Sequence, residues 1–289
     1  MAKAKPFKSF QEQVDLLRER GLIIEDKEYA INILKQVNYY RLSGYTLTFR
    51  KQDVFNPDIR IEDIMQLYYF DSELRSALIY VLDAVEVAFR THIAYYHSKV
   101  YGPLGYKEGH GFENSTYHGY FLKEFAAITG SDKKGNDVFV KHYREDYANK
   151  FPIWVAVELI SFGALSKLYN NLEYPIRKVI AQEYYRIPAD YIQNWLRALV
   201  IIRNICAHRG RLYNRPIANK PKLSKQDNQL SIRNDRVFIY IFILKKIVID
   251  KQIWDTFIKQ LESSIVKYPF VKLEYLGFPI NWRELLTRE

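Results

Sequence analysis

Residues 189–215 read ADYIQNWLRALVIIRNICAHRGRLYNR, and this stretch sets the organisation of the chain. Its first half carries apolar side chains at the three- and four-residue steps of a helix: Ile192, Trp195, Leu196, Leu199, Val200 and Ile202. That spacing predicts a buried α-helix, for which Pro188 suits the first turn. Gly210 is the predicted terminator, because glycine readily adopts the left-handed conformation that ends many helices. The polar residues from Arg203 onward are therefore expected at the C-terminal end of a buried helix.

Arg203 and His208, with Asn204 between them, form an Arg-x₄-His motif. It contains the two kinds of side chain that RNA cleavage without a metal ion uses. An imidazole gains or loses a proton near neutral pH, and a guanidinium holds phosphate oxygens in a planar fork. We expect His208 to act as base or acid, Arg203 to stabilise the charged phosphorane, and Asn204 to orient either group. Five residues turn an ideal helix by about 140°, so the two side chains meet only at a helix end or through a bent arginine. An ordinary polar helix terminus is the alternative interpretation.

A cationic run without acidic residues follows the motif. Between residues 203 and 225 its members are Arg203, Arg209, Arg211, Arg215, Lys220, Lys222 and Lys225. The chain has a net charge of +10, which favours a polyanionic partner because bound phosphates release counterions. The predicted RNA-binding residues here are Arg209, Arg211, Tyr213, Asn214, Arg215, Lys220 and Lys222. Tyr213 is expected to stack on a base, and a solvated loop is the alternative.

The remaining patterns predict an all-α fold, in which a helical bundle is flanked by a small N-terminal module and by extra C-terminal helices. Residues 61–100 form the longest helical stretch, with apolar side chains along one face and a break expected near Asp71. A second bundle helix is predicted over residues 152–171. Two further helices, over residues 235–249 and 251–266, are expected to pack on the bundle.

Three segments follow from these patterns. Residues 1–57 are predicted to form an N-terminal helical, winged-helix-like module, residues 58–228 the helical core with the motif, and residues 229–289 the C-terminal helices. Arg41, in the N-terminal segment YYRLSGY, either contributes to the RNA-binding surface or docks the module on the core. An exposed turn is expected at residues 130–136 because glycine, serine and charged residues cluster there.

Four ordered segments carry a resemblance to a known family: residues 39–45 (YYRLSGY), 85–92 (VEVAFRTH), 152–166 (PIWVAVELISFGALS) and 203–215 (RNICAHRGRLYNR). Together they resemble the HEPN superfamily as it occurs in the Abi (abortive infection, AbiD/AbiF-like) proteins of bacterial phage defence. The resemblance implies a HEPN-like helical bundle and a toxin-like, metal-independent endoribonuclease that leaves 2′,3′-cyclic phosphate ends. It also implies a homodimer, in which Arg203 and His208 of two chains form one composite site, and a small structured non-coding RNA as a further partner.

Three further polar residues, Glu86, Arg90 and Glu158, are expected to support this site. Glu86 and Arg90 are four residues apart, so they pair on one helix face. An ordinary ion pair is the alternative, whereas the family resemblance implies that one of them orients the catalytic side chains. Glu158 is a candidate for a contact with the site or with a second chain.

Several other classes of protein lose support. The single cysteine, Cys206, leaves no intramolecular disulfide and no cysteine-based zinc site, and we expect it to pack inside a helix pair. Neither a glycine-rich phosphate loop nor a metal-ligand spacing is found, so we expect no cofactor and no metal. Neither a membrane-spanning apolar run nor a signal-peptide core is found, so we expect a cytoplasmic protein without a membrane partner.

Two alternatives to a nuclease stay open on the sequence. The first is an RNA-binding protein whose motif holds phosphates without cutting them. It predicts salt-dependent RNA binding that survives loss of His208 and weakens when Arg209, Arg211 and Arg215 are neutralised. The second is a helical DNA-binding regulator built on the N-terminal module, for which no recognition helix is evident.

Overall fold

The structure, a computed structural model, describes residues 6–130 and 138–288. Within these ranges the chain forms fourteen α-helices and one hairpin. The helices are α1 (Phe10–Glu19), α2 (Lys27–Gln36), α3 (Tyr39–Ser43), α4 (Ile61–Tyr101), α5 (Ser115–Thr129), α6 (Val138–Glu145), α7 (Ile153–Leu159), α8 (Phe162–Asn171), α9 (Tyr174–Ile180), α10 (Ala189–Ala207), α11 (Lys225–Asn228), α12 (Val237–Ile247), α13 (Lys251–Lys267) and α14 (Trp282–Thr287). The hairpin pairs β1 (Arg50–Lys51) with β2 (Val54–Phe55). The predicted all-α class is confirmed; the turn predicted at residues 130–136 lies, apart from Gly130, outside the described ranges.

The N-terminal module consists of α1, α2, α3 and the hairpin. Ser9 begins α1 with a capping box, in which its hydroxyl accepts from the Glu12 N–H at 3.3 Å and the Glu12 carboxylate accepts from the Ser9 N–H at 2.6 Å. The Ile23 N–H donates to the Ile59 carbonyl at 2.9 Å, and the Ile61 N–H donates back to Ile23 at 3.1 Å. These bonds fix the module to the first turn of α4.

α4 is the central helix of the protein. It runs unbroken for 41 residues, so the break predicted near Asp71 is wrong. α4 packs against α7, α10, α12 and α13. Asp71 does not interrupt it, because its carboxylate faces inward and bonds Arg75 one turn along and the backbone of a distant loop. The side chain therefore does not compete for the hydrogen bonds of its own helix.

The helix predicted over residues 152–171 is two helices in the structure. Between α7 and α8, Ile160 is extended (φ −89°, ψ 156°) and Ser161 caps α8. The Arg90 guanidinium of α4 donates to the carbonyls of Val157 and Ile160 at the end of α7. A buried arginine thus satisfies carbonyl groups that a continuous helix would have bonded internally. That contact is distant along the chain, so local spacing does not reveal it.

The C-terminal helices complete a single hydrophobic core. Nearly every side chain of α12 is buried, which is typical of a helix surrounded by others, and α13 packs along α4. The tail docks through Phe278 and Leu286, and the Trp254 indole N–H donates to the Leu286 carbonyl at 2.9 Å. Residues of all three predicted segments contribute to this core.

Candidate functional site

α10 ends in a Schellman motif that carries the Arg-x₄-His sequence. His208 is the C-cap residue, and the N–H groups of Arg209 and Gly210 donate to the carbonyls of Cys206 and Ile205 at 3.0 and 2.7 Å. Arg209 occupies the left-handed position with φ 55°. The left-handed terminator is therefore Arg209, and the prediction that gave this role to Gly210 is wrong.

Gly210 is needed for space. A Cβ atom there would lie 3.0 Å from Ile205 Cγ2 and 3.1 Å from Arg215 Nη1, tighter than ordinary van der Waals contact. The glycine therefore lets the chain turn closely past the end of α10.

Replacing Arg209 with glycine is expected to raise the free energy of unfolding by about 1 kcal/mol. The left-handed conformation costs an L-residue roughly 1–2 kcal/mol in the folded state. Glycine removes that cost, but part of the gain is offset because glycine also makes the unfolded chain more flexible. Arg209→Ala is the matched control, because it removes the same guanidinium and keeps the Cβ atom. Urea denaturation of the three proteins measures the effect. An equal gain in the alanine variant would assign it to the lost charge.

Arg203 faces a cleft of about 910 Å³ between α4, α10 and the N-terminal module. The charged residues that line this cleft are Arg41, Arg75, Arg203, Arg209, Asp83 and Glu86. The Arg203 side chain is 38% exposed, and its Nη2 lies 3.9 Å from Glu86 Oε2. Its Nη1 lies 3.5 Å from Asn204 Oδ1. The first distance is long for an ion pair and the second is long for a hydrogen bond, so the guanidinium is free to turn toward a phosphate.

His208 is exposed at the end of α10, as is Asn204. His208 is not among the residues that line the cleft. In the described ranges, no hydrogen bond or ion pair joins His208 to Arg203. One chain therefore places the two motif residues at the same helix end, with no bond between their side chains among the described contacts.

Glu86 lies between two arginines. It forms an ion pair with Arg90 and is the near neighbour of Arg203 described above. Because Arg90 is itself bonded to the carbonyls at the end of α7, its ion pair with Glu86 fixes the position of the Glu86 carboxylate. Glu158, the third predicted supporting residue, is exposed, and in the described part of the chain it bonds neither Arg203 nor His208.

Asp71 is a central residue that the sequence patterns marked only as a helix break. It is fully buried, and its carboxylate accepts from the N–H groups of Leu212 and Tyr213 at 3.0 and 2.7 Å and from the Tyr45 hydroxyl at 2.8 Å. Arg75 forms an ion pair with the same carboxylate. Burial raises the pKa of Asp71, and Arg75 and these hydrogen bonds oppose that shift. The one available signal was an acidic residue within the apolar stripe of a bundle helix.

The segment YYRLSGY docks on the loop that follows the motif. Arg41 Nη1 donates to the Arg209 carbonyl at 2.7 Å. A Cβ atom at Gly44 would lie 3.1 Å from Arg211 Nε, so glycine allows the close approach of that side chain. Of the two roles considered for Arg41, docking is the one observed, although its side chain also lines the cleft.

The predicted RNA-binding residues are not equally accessible. Tyr213 is fully buried and packs against Tyr275 with ring centroids 5.8 Å apart, so the prediction that its ring stacks on a base is wrong. Arg211 is half-buried, donates to the Tyr213 carbonyl, and has its pKa lowered by burial. Asn214 and Arg215 are half-buried, and Arg209, Lys220 and Lys222 are exposed. The exposed cations are the members of the set most open to a ligand.

Cys206 packs inside the protein, and burial raises the pKa of its thiol to about 12. Among residues 6–130 and 138–288, no group of three or more His, Cys, Asp or Glu side chains is arranged to hold a metal ion. None of the helices in the described part of the chain combines the length and apolar character needed to cross a membrane.

The fold and the site define a class of all-α proteins, in which an Arg-x₄-His motif ends a buried helix beside a cleft rich in arginine. The family model described as Abi-like protein matches residues 32–214, from α2 to the loop after the motif. The chain belongs to this family of bacterial abortive-infection proteins. Neither the curated proteins nor the solved structures contain a match to the chain.

Proposed function

We propose that the protein is a metal-independent endoribonuclease of the HEPN type that acts in phage defence. The observation that carries this proposal is the end of α10, which presents Arg203 to a cleft rich in arginine and leaves the His208 imidazole exposed. In the reaction, the 2′-oxygen attacks phosphorus and the bond to the 5′-oxygen breaks, which gives a 2′,3′-cyclic phosphate and a 5′-hydroxyl. His208 takes the 2′-hydroxyl proton or protonates the 5′-oxygen, Arg203 stabilises the phosphorane, and Asn204 orients these groups.

A homodimer completes this proposed site. Because His208 does not line the cleft that Arg203 faces, one chain does not present both groups to the same cleft. A two-fold axis near the ends of two α10 helices would place each His208 against the partner's motif. Two imidazoles would then be available, one as base and one as acid.

The test is cleavage of a labelled RNA, and of DNA with the same sequence, by the purified protein in EDTA. We expect cut RNA with cyclic phosphate ends and intact DNA, because DNA lacks the attacking 2′-hydroxyl. Arg203→Ala should lower the rate by roughly 10²–10³-fold, as loss of one stabilising donor does, without changing the melting temperature. The rate per chain should fall when dilution separates the dimer. Cleavage that requires a metal ion, or an unimpaired Arg203→Ala variant, would contradict the proposal.

A second candidate function is RNA binding without cleavage, with a small structured RNA as the partner. The absence of His208 from the lining of the cleft that Arg203 faces favours it, since a phosphate-binding arginine without a base in the same cleft binds but does not cut. In the same assay, this function predicts RNA that stays intact with the unaltered protein and shifts with it. The shift should weaken with salt and on neutralising Arg209, Arg211 and Arg215.

A further inference from the structure

The floor of the cleft is one face of α4. Its lining residues recur at three- and four-residue steps from Tyr68 through Ser72, Ser76, Ile79 and Asp83 to Glu86. Eighteen residue-to-residue steps of 1.5 Å along the helix axis make this floor about 27 Å long. The cleft is therefore an elongated groove along the central helix.

The two walls of the groove come from distant parts of the sequence. Gln36, Asn38 and Arg41 of the N-terminal module form one wall, and the last turn of α10 with Arg209 forms the other. The bond from Arg41 to the Arg209 carbonyl joins the walls. The N-terminal module is thus half of the groove that leads to Arg203.

Arg75 is the unusual residue of this groove. It is 6% exposed, yet it lines the cleft. In the described part of the chain, its hydrogen bonds, to Asp71 and to the Tyr45 hydroxyl, both use Nη1. The Nε and Nη2 edge of the guanidinium makes none of these bonds. A planar fork held in place by a buried carboxylate is well suited to bind a phosphate in two-point fashion at little cost in side-chain entropy.

We propose that Arg75, together with Arg41 and Arg209, binds phosphodiesters of an RNA strand that lies along this groove, and that Gln36 and Asn38 contact its bases. This assignment rests on the proposed action on RNA and adds a binding site in the N-terminal half of the groove. Asp83 and Glu86 lie toward the Arg203 end, whereas the other charged residues that line the groove, Arg41, Arg75 and Arg209, are all cationic.

The length of the groove favours a strand over a single nucleotide. Arg75 lies eleven helical steps before Glu86, the neighbour of Arg203, which corresponds to about 16 Å along the axis of α4. One phosphate cannot bridge that distance, whereas successive phosphates of a strand can. A strand would therefore contact Arg75 and Arg203 at different nucleotides.

The experiment measures RNA binding in the His208→Ala background, so that cleavage does not interfere. A labelled single-stranded octanucleotide is titrated at several salt concentrations, and fluorescence anisotropy gives the dissociation constant. Arg75→Lys keeps the charge beside Asp71 and removes the fork; we expect binding about tenfold weaker. Arg41→Ala should reduce the salt slope by about 0.7, the value for one phosphate on a single strand. Arg283→Lys, at an exposed position of α14, is the matched control and should bind like the background.

Each outcome decides the assignment. Unchanged binding by folded Arg75→Lys and by Gln36→Ala would overturn it, as would competition by a mononucleotide at the same concentration as the octanucleotide. Gln36 is the residue of choice here because the Asn38 side chain caps α3 by accepting from the Tyr40 N–H at 2.8 Å. If Arg75→Lys fails to fold, Arg41→Ala and Gln36→Ala carry the test alone. If these variants bind RNA more weakly and the unaltered protein leaves RNA intact, the result supports RNA binding in the groove and contradicts the proposed nuclease activity. If the unaltered protein cleaves RNA and the variants bind it as well as the background does, the result supports the nuclease activity and contradicts RNA binding in the groove.

Discussion

His208→Ala is expected to slow RNA cleavage by roughly 10²–10⁴-fold, the contribution of one general acid or base. The same variant should keep its free energy of unfolding within about 0.5 kcal/mol of the parent, as exposed substitutions usually do. The imidazole is exposed, and the hydrogen bond that His208 makes within α10 uses its backbone N–H, which alanine retains. Loss of rate without loss of stability would therefore identify a chemical role for the side chain.

The matched control is His110→Ala. His110 is also an exposed histidine, and it lies beyond the far end of α4, where its Nδ1 is 3.5 Å from Glu108. Its replacement should leave the cleavage rate unchanged. Single-turnover rates with excess protein separate chemistry from RNA binding, which His208→Ala should retain. Equal rates for His208→Ala and the parent would remove His208 from the mechanism.

Asp71→Ala is expected to cost about 3–5 kcal/mol of stability, the usual effect of removing one member of a buried ion pair. The change leaves Arg75 buried without its partner and leaves the N–H groups of Leu212 and Tyr213 without an acceptor. Because those amides follow the motif directly, the loop next to His208 should lose its anchor as well. A loss of this size is a large part of the stability of an ordinary protein.

Two comparisons make the Asp71 prediction specific. Asp71→Asn keeps one acceptor oxygen and removes the charge, so its cost should lie below that of alanine. Asp83→Ala removes an exposed carboxylate from the same helix and should cost less than about 0.5 kcal/mol. Urea denaturation of the three variants gives the order. A stability for Asp71→Ala within about 1 kcal/mol of the parent would show that the buried pair contributes little.

Much of the helical architecture was predictable because its signals are local. The 3.6-residue spacing of apolar side chains identified α4, α10, α12 and α13, and it placed Arg203 and His208 at a helix end. The sequence predicted a break near Asp71 that α4 does not have, and it predicted one helix where α7 and α8 are separate. In both places a side chain satisfies groups far away along the chain, and such a contact leaves no trace in local spacing.

The site divides in the same way. The Arg-x₄-His motif and the cations after it could be read directly, because residue type and spacing carry their chemistry. Three features could not be read in this way: the burial of Tyr213, the left-handed backbone of Arg209, and the unbonded Nε and Nη2 edge of the Arg75 guanidinium. Each depends on what packs beside it, and a basic, aromatic loop has the same composition whether its tyrosine faces solvent or the core.

The sequence alone therefore determined an all-α chain with the motif at the end of a buried helix, since periodicity and termination are encoded within one or two turns. The tertiary structure decided which side chains meet. Asp71 contacts the chain 142 residues later at Tyr213, and Arg41 contacts it 168 residues later at Arg209. These long-range contacts form only when the whole core packs, because closing such loops costs entropy that the buried apolar surface of the bundle must offset.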